Sequence, residues 1–194
     1  TYLFAAKIQI INFLILIFIT IKKPLPSKKI NRSLSDVLLQ KNLIIAILAA
    51  AVGYSLMSFI MTATPLQIVN VCKLGDSASA TVIQWHVIAM FAPSFFTGAI
   101  ISSHGNRKVM MMGLFLYVFS ISFTIIGQTT EHFWIGLFLC GLGWNFLYIG
   151  GSDIIAKSAL PDERAKVQGV TDFIIFIFVA TGSFLAGALH STLG

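Results

Sequence analysis

Four side chains able to bind or ionise fall inside stretches that are otherwise apolar: His86, Asn145, Asp153 and Asp172. His86, Met90, Pro93 and Thr97 are spaced to share one face of a helix. An imidazole titrates near neutral pH, so His86 on such a face could carry a proton or bind a solute. A neutral imidazole bonded to a neighbouring helix fits the same position. Asn145 shares a face with Gly141, Tyr148 and Ser152. A buried amide without a partner costs about 2–7 kcal/mol, so this one must meet protein, water or ligand. Trp144 and Tyr148 beside it offer rings on which a flat or cationic ligand can stack. The competing reading of Asn145 is a clasp between helices, because Gly136, Cys140, Gly143 and Gly150 form a small-residue seam nearby. His86, Met90, Trp144, Asn145 and Tyr148 are therefore the candidates for a solute and proton cavity.

The two acids suit a different task. Asp153 precedes Lys157 by four residues, the favourable order for a helical ion pair. Asp172 follows closely on an expected helix start, where the helix dipole stabilises an anion. Local pairing and capping account for both. A cytoplasmic gate, with either acid reaching Arg107 or Arg164, is the sharper alternative. Other chemistries find no support. The two cysteines form no CxxC pair or Cys/His cluster, so no metal is expected. No GxxxxGK loop is present, the four histidines are scattered, and no cofactor is expected. An intramembrane enzyme using His86 with an Asp is disfavoured by the different depths of those residues.

The elements that must hold these residues are membrane spans. The chain is 57% hydrophobic and 10% charged, against roughly a quarter charged in soluble domains. Apolar stretches at about 3–21, 43–63, 81–102, 109–127, 133–156 and 169–189 each match a bilayer crossing of roughly 20 residues. The expected fold is an all-α membrane protein of six transmembrane helices. The helix of the second span is expected to run on past Pro65 as a kink, Pro93 falls inside the third span, and a short amphipathic stretch at 34–39 is expected to lie on the membrane surface. Lys and Arg in successive gaps number six, one, two, none and three. This alternation places the basic gaps in the cytoplasm. The net charge of +6 thus marks topology and contact with membrane lipid, not nucleic acid. Both ends then face outward, and the opening Thr1 at an apolar stretch reads as a piece of a longer protein.

The string GAIISSHGNRK at 98–108 resembles the short cytoplasmic loop motif of the major facilitator superfamily, G-x-L-A-D-R-x-G-R-R-x. Gly98, Gly105 and Arg107 match, and Lys108 follows as a second base. Ser102 and Ser103 stand where the family has an acid and a base. MTATPL at 61–66, QWHVIAMFAPSFFTG at 84–98, GLGWNFLYIGGSD at 141–153 and PDERAKVQGVTDF at 161–173 are similar to a bacterial branch of its permeases. The resemblance implies spans six to eleven of twelve. Residues 1–21 would be the last span of the N-terminal half, 22–42 the central loop, and 43–194 part of the C-terminal half. It implies a secondary transporter in the bacterial inner membrane that moves a small-molecule solute, coupled to protons, by alternating access. Its partners would be that solute, protons, lipid and the remaining helices of the same protein. Asp172 would sit where loops of the other half dock. A non-transporting membrane scaffold or sensor is the alternative.

The charge alternation makes a direct prediction. Impermeant amine labelling of whole cells should spare Lys28, and a cysteine placed at Glu131 should react from outside. Equal accessibility of both sites would overturn the topology.

Overall fold

The computed structural model describes residues 2–19 and 32–193. Among these the chain is all-α, with no strand. Helix α1 (Tyr2–Phe18) is a unit by itself. It covers most of the first expected span, whose end at Ile21 lies outside the described residues, as does the basic stretch from 22 to 31.

The second unit begins with α2 (Leu34–Leu38) and α3 (Lys41–Leu66). Backbone helicity continues beyond α3 as a π-turn, Gln67–Val71. Pro65 therefore ends no helix. A wider turn follows it, in which Cys72 N–H donates to Gln67 O at 2.9 Å. Pro93 acts differently. It splits the third expected span into α4 (Asp76–Phe91) and α5 (Ser94–His104), bent by 43°. Next come α6 (Asn106–Ile126), α7 (Thr130–Ser158) and α8 (Arg164–Leu193). Residues 41–71, 106–126, 130–158 and 164–192 are each long and apolar enough to cross a membrane, and the bent α4–α5 pair makes a fifth such span. Their outward faces carry Leu48, Val52, Phe115, Val118, Phe173 and Ile177 in exposed positions, as a lipid solvent allows.

Helix α7 is the centre of the second unit, with α3, α4 and α6 packed on it and α8 packed on α3. Small residues permit this. A Cβ at Gly143 would lie 2.9 Å from Gly113 O, and one at Gly141 would lie 2.6 Å from His86 O. On a third side, Gly151 faces the Ala46 carbonyl of α3. The small-residue seam expected on α7 is the face that receives α6: Gly136, Gly143 and Gly150 meet Thr124, Gly113 and Met110. Hydroxyls then bond to the carbonyls brought close. Ser120 Oγ donates to Gly136 O at 2.7 Å, and Tyr117 O–H donates to Gly53 O at 2.6 Å. Between α3 and α8, Ser55 Oγ donates to Phe178 O at 2.8 Å and the Ser58 and Ser183 hydroxyls pair at 2.6 Å.

The stretch expected on the membrane surface is the helix α2, and its Val37 is fully buried with Leu43, Ile155 and Val167. It thus closes the end of the bundle with its apolar side.

Tyr117→Phe keeps the ring and removes the hydroxyl. The Gly53 carbonyl, inside α3, then loses the second donor that ties it to α6, and stability should fall by about 1 kcal/mol. Reversible unfolding in detergent micelles checks this; an unchanged midpoint would mean that the bond contributes nothing.

Candidate functional site

The candidate cavity residues lie along the seam of α4, α5 and α7. His86 is fully buried against α7, with Nδ1 2.7 Å from Leu137 O. A carbonyl only accepts, so Nδ1 carries the proton and Nε2 is the lone-pair side. Nε2 is buried and has no hydrogen-bond partner among the described residues. Met90 and Thr97 are buried on the same side. The face expected to line a cavity is thus turned to α7 in this structure. The reason is Gly141, whose bare Cα lets α4 come close at the level of His86.

Asn145 is fully buried one turn further along α7. Its Nδ2 donates to Met90 O at 2.6 Å and to Ser94 Oγ at 2.7 Å, and its Oδ1 accepts from Thr97 Oγ1 at 2.6 Å. Both amide protons and the oxygen are engaged across the α4–α5 break. Of the two sequence readings, this geometry has the form of the clasp.

The opposite flank of α7 carries rings. Trp144 and Tyr148 stack with centroids 5.0 Å apart and planes at 9°. Tyr54 of α3 meets both edge-on, at 5.2 and 5.5 Å. Phe91 at the end of α4 meets Trp144 edge-on at 6.0 Å, and Phe176 of α8 approaches Tyr54 at 6.1 Å. Edge-to-face and offset contacts of this kind are favourable for aromatic rings. The cluster is therefore framed by α3, α4, α7 and α8. Trp144 at its centre is buried and Tyr54 and Tyr148 are half-buried, while Phe91 and Phe176 at the rim are more than half exposed. Such a face suits a flat ring system. Tyr54, Phe91 and Phe176 had no mark in the sequence, because their partners lie on other spans.

The cytoplasmic candidates separate into three places. Gly105 joins α5 to α6 at φ +81° and ψ 151°, a conformation essentially confined to glycine. The turn it makes presents Asn106 to α7, where Nδ2 donates to Gly150 O and to Asp153 Oδ2, each at 2.9 Å. Asp153 also pairs with Lys157 Nζ at 2.5 Å, the local pair its spacing predicts. Asn106, inside the loop string, was not singled out in the sequence. Asp172 accepts from Gln168 Nε2 at 2.7 Å. Arg107 and Lys108 are exposed, and Arg107 borders a cleft of about 690 Å³ between α3, α6 and α7, together with Lys41 and Asn42. Arg164 Nε is 3.5 Å from Ala159 O. Among the described residues, no ion pair joins either arginine to Asp153 or Asp172. Gly98 lies within α5 with open space beside it.

The sequence profile of the Major Facilitator Superfamily matches residues 43–194. The chain belongs to that superfamily. It is 44% identical over 162 residues to the riboflavin transporter RfnT of Brucella anthropi, covering 83% of this chain and 40% of that protein. It is 31% identical over 154 residues to the uncharacterized transporter YdeG of Bacillus subtilis, covering 77% of this chain and 35% of that one. It is 29% identical over 157 residues to YddS of the same organism, covering 79% and 36%. The chain thus spans 35% to 40% of the length of these relatives. No solved structure matches it significantly. Membership accounts for the architecture, a multi-pass bundle of apolar helices, and these relatives carry the names of transporters, not enzymes.

Gly105→Ala should cost about 1–3 kcal/mol, because the turn demands a backbone conformation that a Cβ opposes. The loss should appear in micelle unfolding together with greater reactivity of a cysteine at position 106. A variant as stable as the parent would show that the turn is not under this constraint.

Proposed function

We propose that this chain is part of a bacterial inner-membrane permease that moves a flat heteroaromatic solute by alternating access, coupled to protons. The observation that carries the reading is the aromatic face of Tyr54, Trp144 and Tyr148, rimmed by Phe91 and Phe176. Stacking between rings is recognition that needs little charge, and this face has no carboxylate or amine among its five members. The name of the riboflavin transporter relative supports a solute with a fused, planar ring system. Helices α3, α4, α7 and α8 frame the face, so movement of this bundle against further helices would open it to alternate sides.

His86 supplies the proton step in this reading. Its Nδ1 is held as a donor by Leu137 O, which leaves Nε2 as the atom that gains and loses a proton. Burial of that atom ties protonation to a conformation that opens the α4–α7 seam. Asp153, with Asn106 and Lys157, and Asp172, with Gln168, would belong to the cytoplasmic gate. Arg107, Lys108 and Arg164 are the cations available to that gate when it closes.

The test is flux. The full-length gene product in proteoliposomes should accumulate riboflavin faster when an inward proton gradient is imposed. His86→Gln should retain exchange of labelled riboflavin at equal pH and lose at least about tenfold of gradient-driven uptake, as expected when a proton-carrying group is removed. Liposomes that take up no riboflavin would overturn the solute. Gradient-driven uptake unchanged in His86→Gln would overturn the proton role.

A further inference from the structure

The α4–α5 break leaves a debt in backbone hydrogen bonding. Pro93 has no N–H to give to Ala89 O, four residues before it, and Ala92 N–H bonds back into α4, to Ile88 O at 2.8 Å. On the far side, Phe96 and Thr97 N–H both turn to Pro93 O. Across the break, Met90 O accepts from Asn145 Nδ2, at 2.6 Å. The same amide holds Ser94 and Thr97, the first turn of α5. One side chain of α7 therefore grips both arms of the bend. The arm that ends at the break carries Phe91, whose ring lies edge-on to Trp144, the residue preceding Asn145 in the chain.

We propose that Asn145 is a positioning residue: by clamping the α4–α5 break it holds Phe91 against Trp144, so that the bend of this span and occupancy of the aromatic face are coupled. The coupling rests on the permease reading above; the clamp does not. Solute on the aromatic face displaces or tightens Phe91, and the strain falls on a break that the hydrogen bonds of Asn145 hold. Helix α5, with Phe95 and Phe96 exposed along it, then transmits the change to the Gly105 turn. Asn145 acts through Phe91 and touches no solute itself.

Two measurements on the full-length gene product in lipid nanodiscs and proteoliposomes test this. Spin labels at Val87→Cys and Ala99→Cys report the bend without solute. Asn145→Ala should broaden or shift their distance distribution, and Thr97→Val should do so to a smaller extent with the fold intact. An unchanged distribution in both variants overturns the clamp. For the coupling, Asn145→Ala and Phe91→Ala should each raise the half-saturating riboflavin concentration about two- to tenfold, the range an aromatic pair contributes. The double variant should be no worse than the weaker single, because both changes remove one contact. Additive losses, or an unchanged half-saturating concentration in Asn145→Ala, overturn the coupling. A parent protein that moves no riboflavin sinks the solute reading and the coupling with it, while the label distances still decide the clamp.

Discussion

Lipid tails are as apolar as leucine, so burying a leucine between two membrane helices gains little. Helices in this solvent stay together through close van der Waals contact and polar bonds that water does not compete for. Helix α7 meets that constraint on three sides. Its glycines bring α6 within 2.9 Å of a hypothetical Cβ at Gly143, α4 within 2.6 Å at Gly141, and α3 within 3.0 Å at Gly151. Each approach exposes a carbonyl or brings a hydroxyl within reach. Ser120, Tyr117 and Asn145 use that proximity for buried hydrogen bonds. Remove the close approach and these bonds lengthen beyond use.

The site inherits its geometry from the same helix. Asn145 and Trp144 are neighbours in sequence and face different ways, one into the α4–α5 break and the other into the rings of α3 and α4. The break and the aromatic face are thus set by one turn of α7. Two turns further on, Asp153 and Gly150 receive Asn106 from the Gly105 turn. A rigid α7 that contacts the bend, the rings and the turn gives the bundle a single frame against which α5 can move.

Much of this frame was legible in the sequence, and the reasons are local. Helical spacing alone exposed the seam of Gly136, Gly143 and Gly150 and the Asp153–Lys157 pair. Apolar length marked the spans, though α3, α7 and α8 run a few residues past both expected boundaries. Long-range partners were not legible. Asn145 could be read as clasp or ligand contact because the groups it binds, Met90 O, Ser94 and Thr97, lie about fifty residues earlier in the chain. The two prolines in spans look alike in sequence. Pro65 lies near a helix end that relaxes into a π-turn, whereas Pro93 lies mid-span and yields a 43° bend. Phe91, Tyr54 and Phe176 are three aromatic residues in a chain that has many, and only packing distinguishes them. Gly98 shows the converse: its place in a loop motif was plain, yet nothing among the described residues lies against it.

Membership of the superfamily explains why a bundle of this kind exists, but the close approach of helices to α7 is a claim about these residues. The most direct measurement compares two glycine-to-alanine changes by reversible unfolding in the same micelles. Gly143→Ala forces a Cβ against the Gly113 carbonyl and should lose about 1–3 kcal/mol, the range for overpacking. Gly187→Ala, with open space around it, should lose nothing and gain slightly from helix propensity. Equal stability of the two variants would contradict the account, because α7 would then not be the tightly approached axis on which the bundle rests.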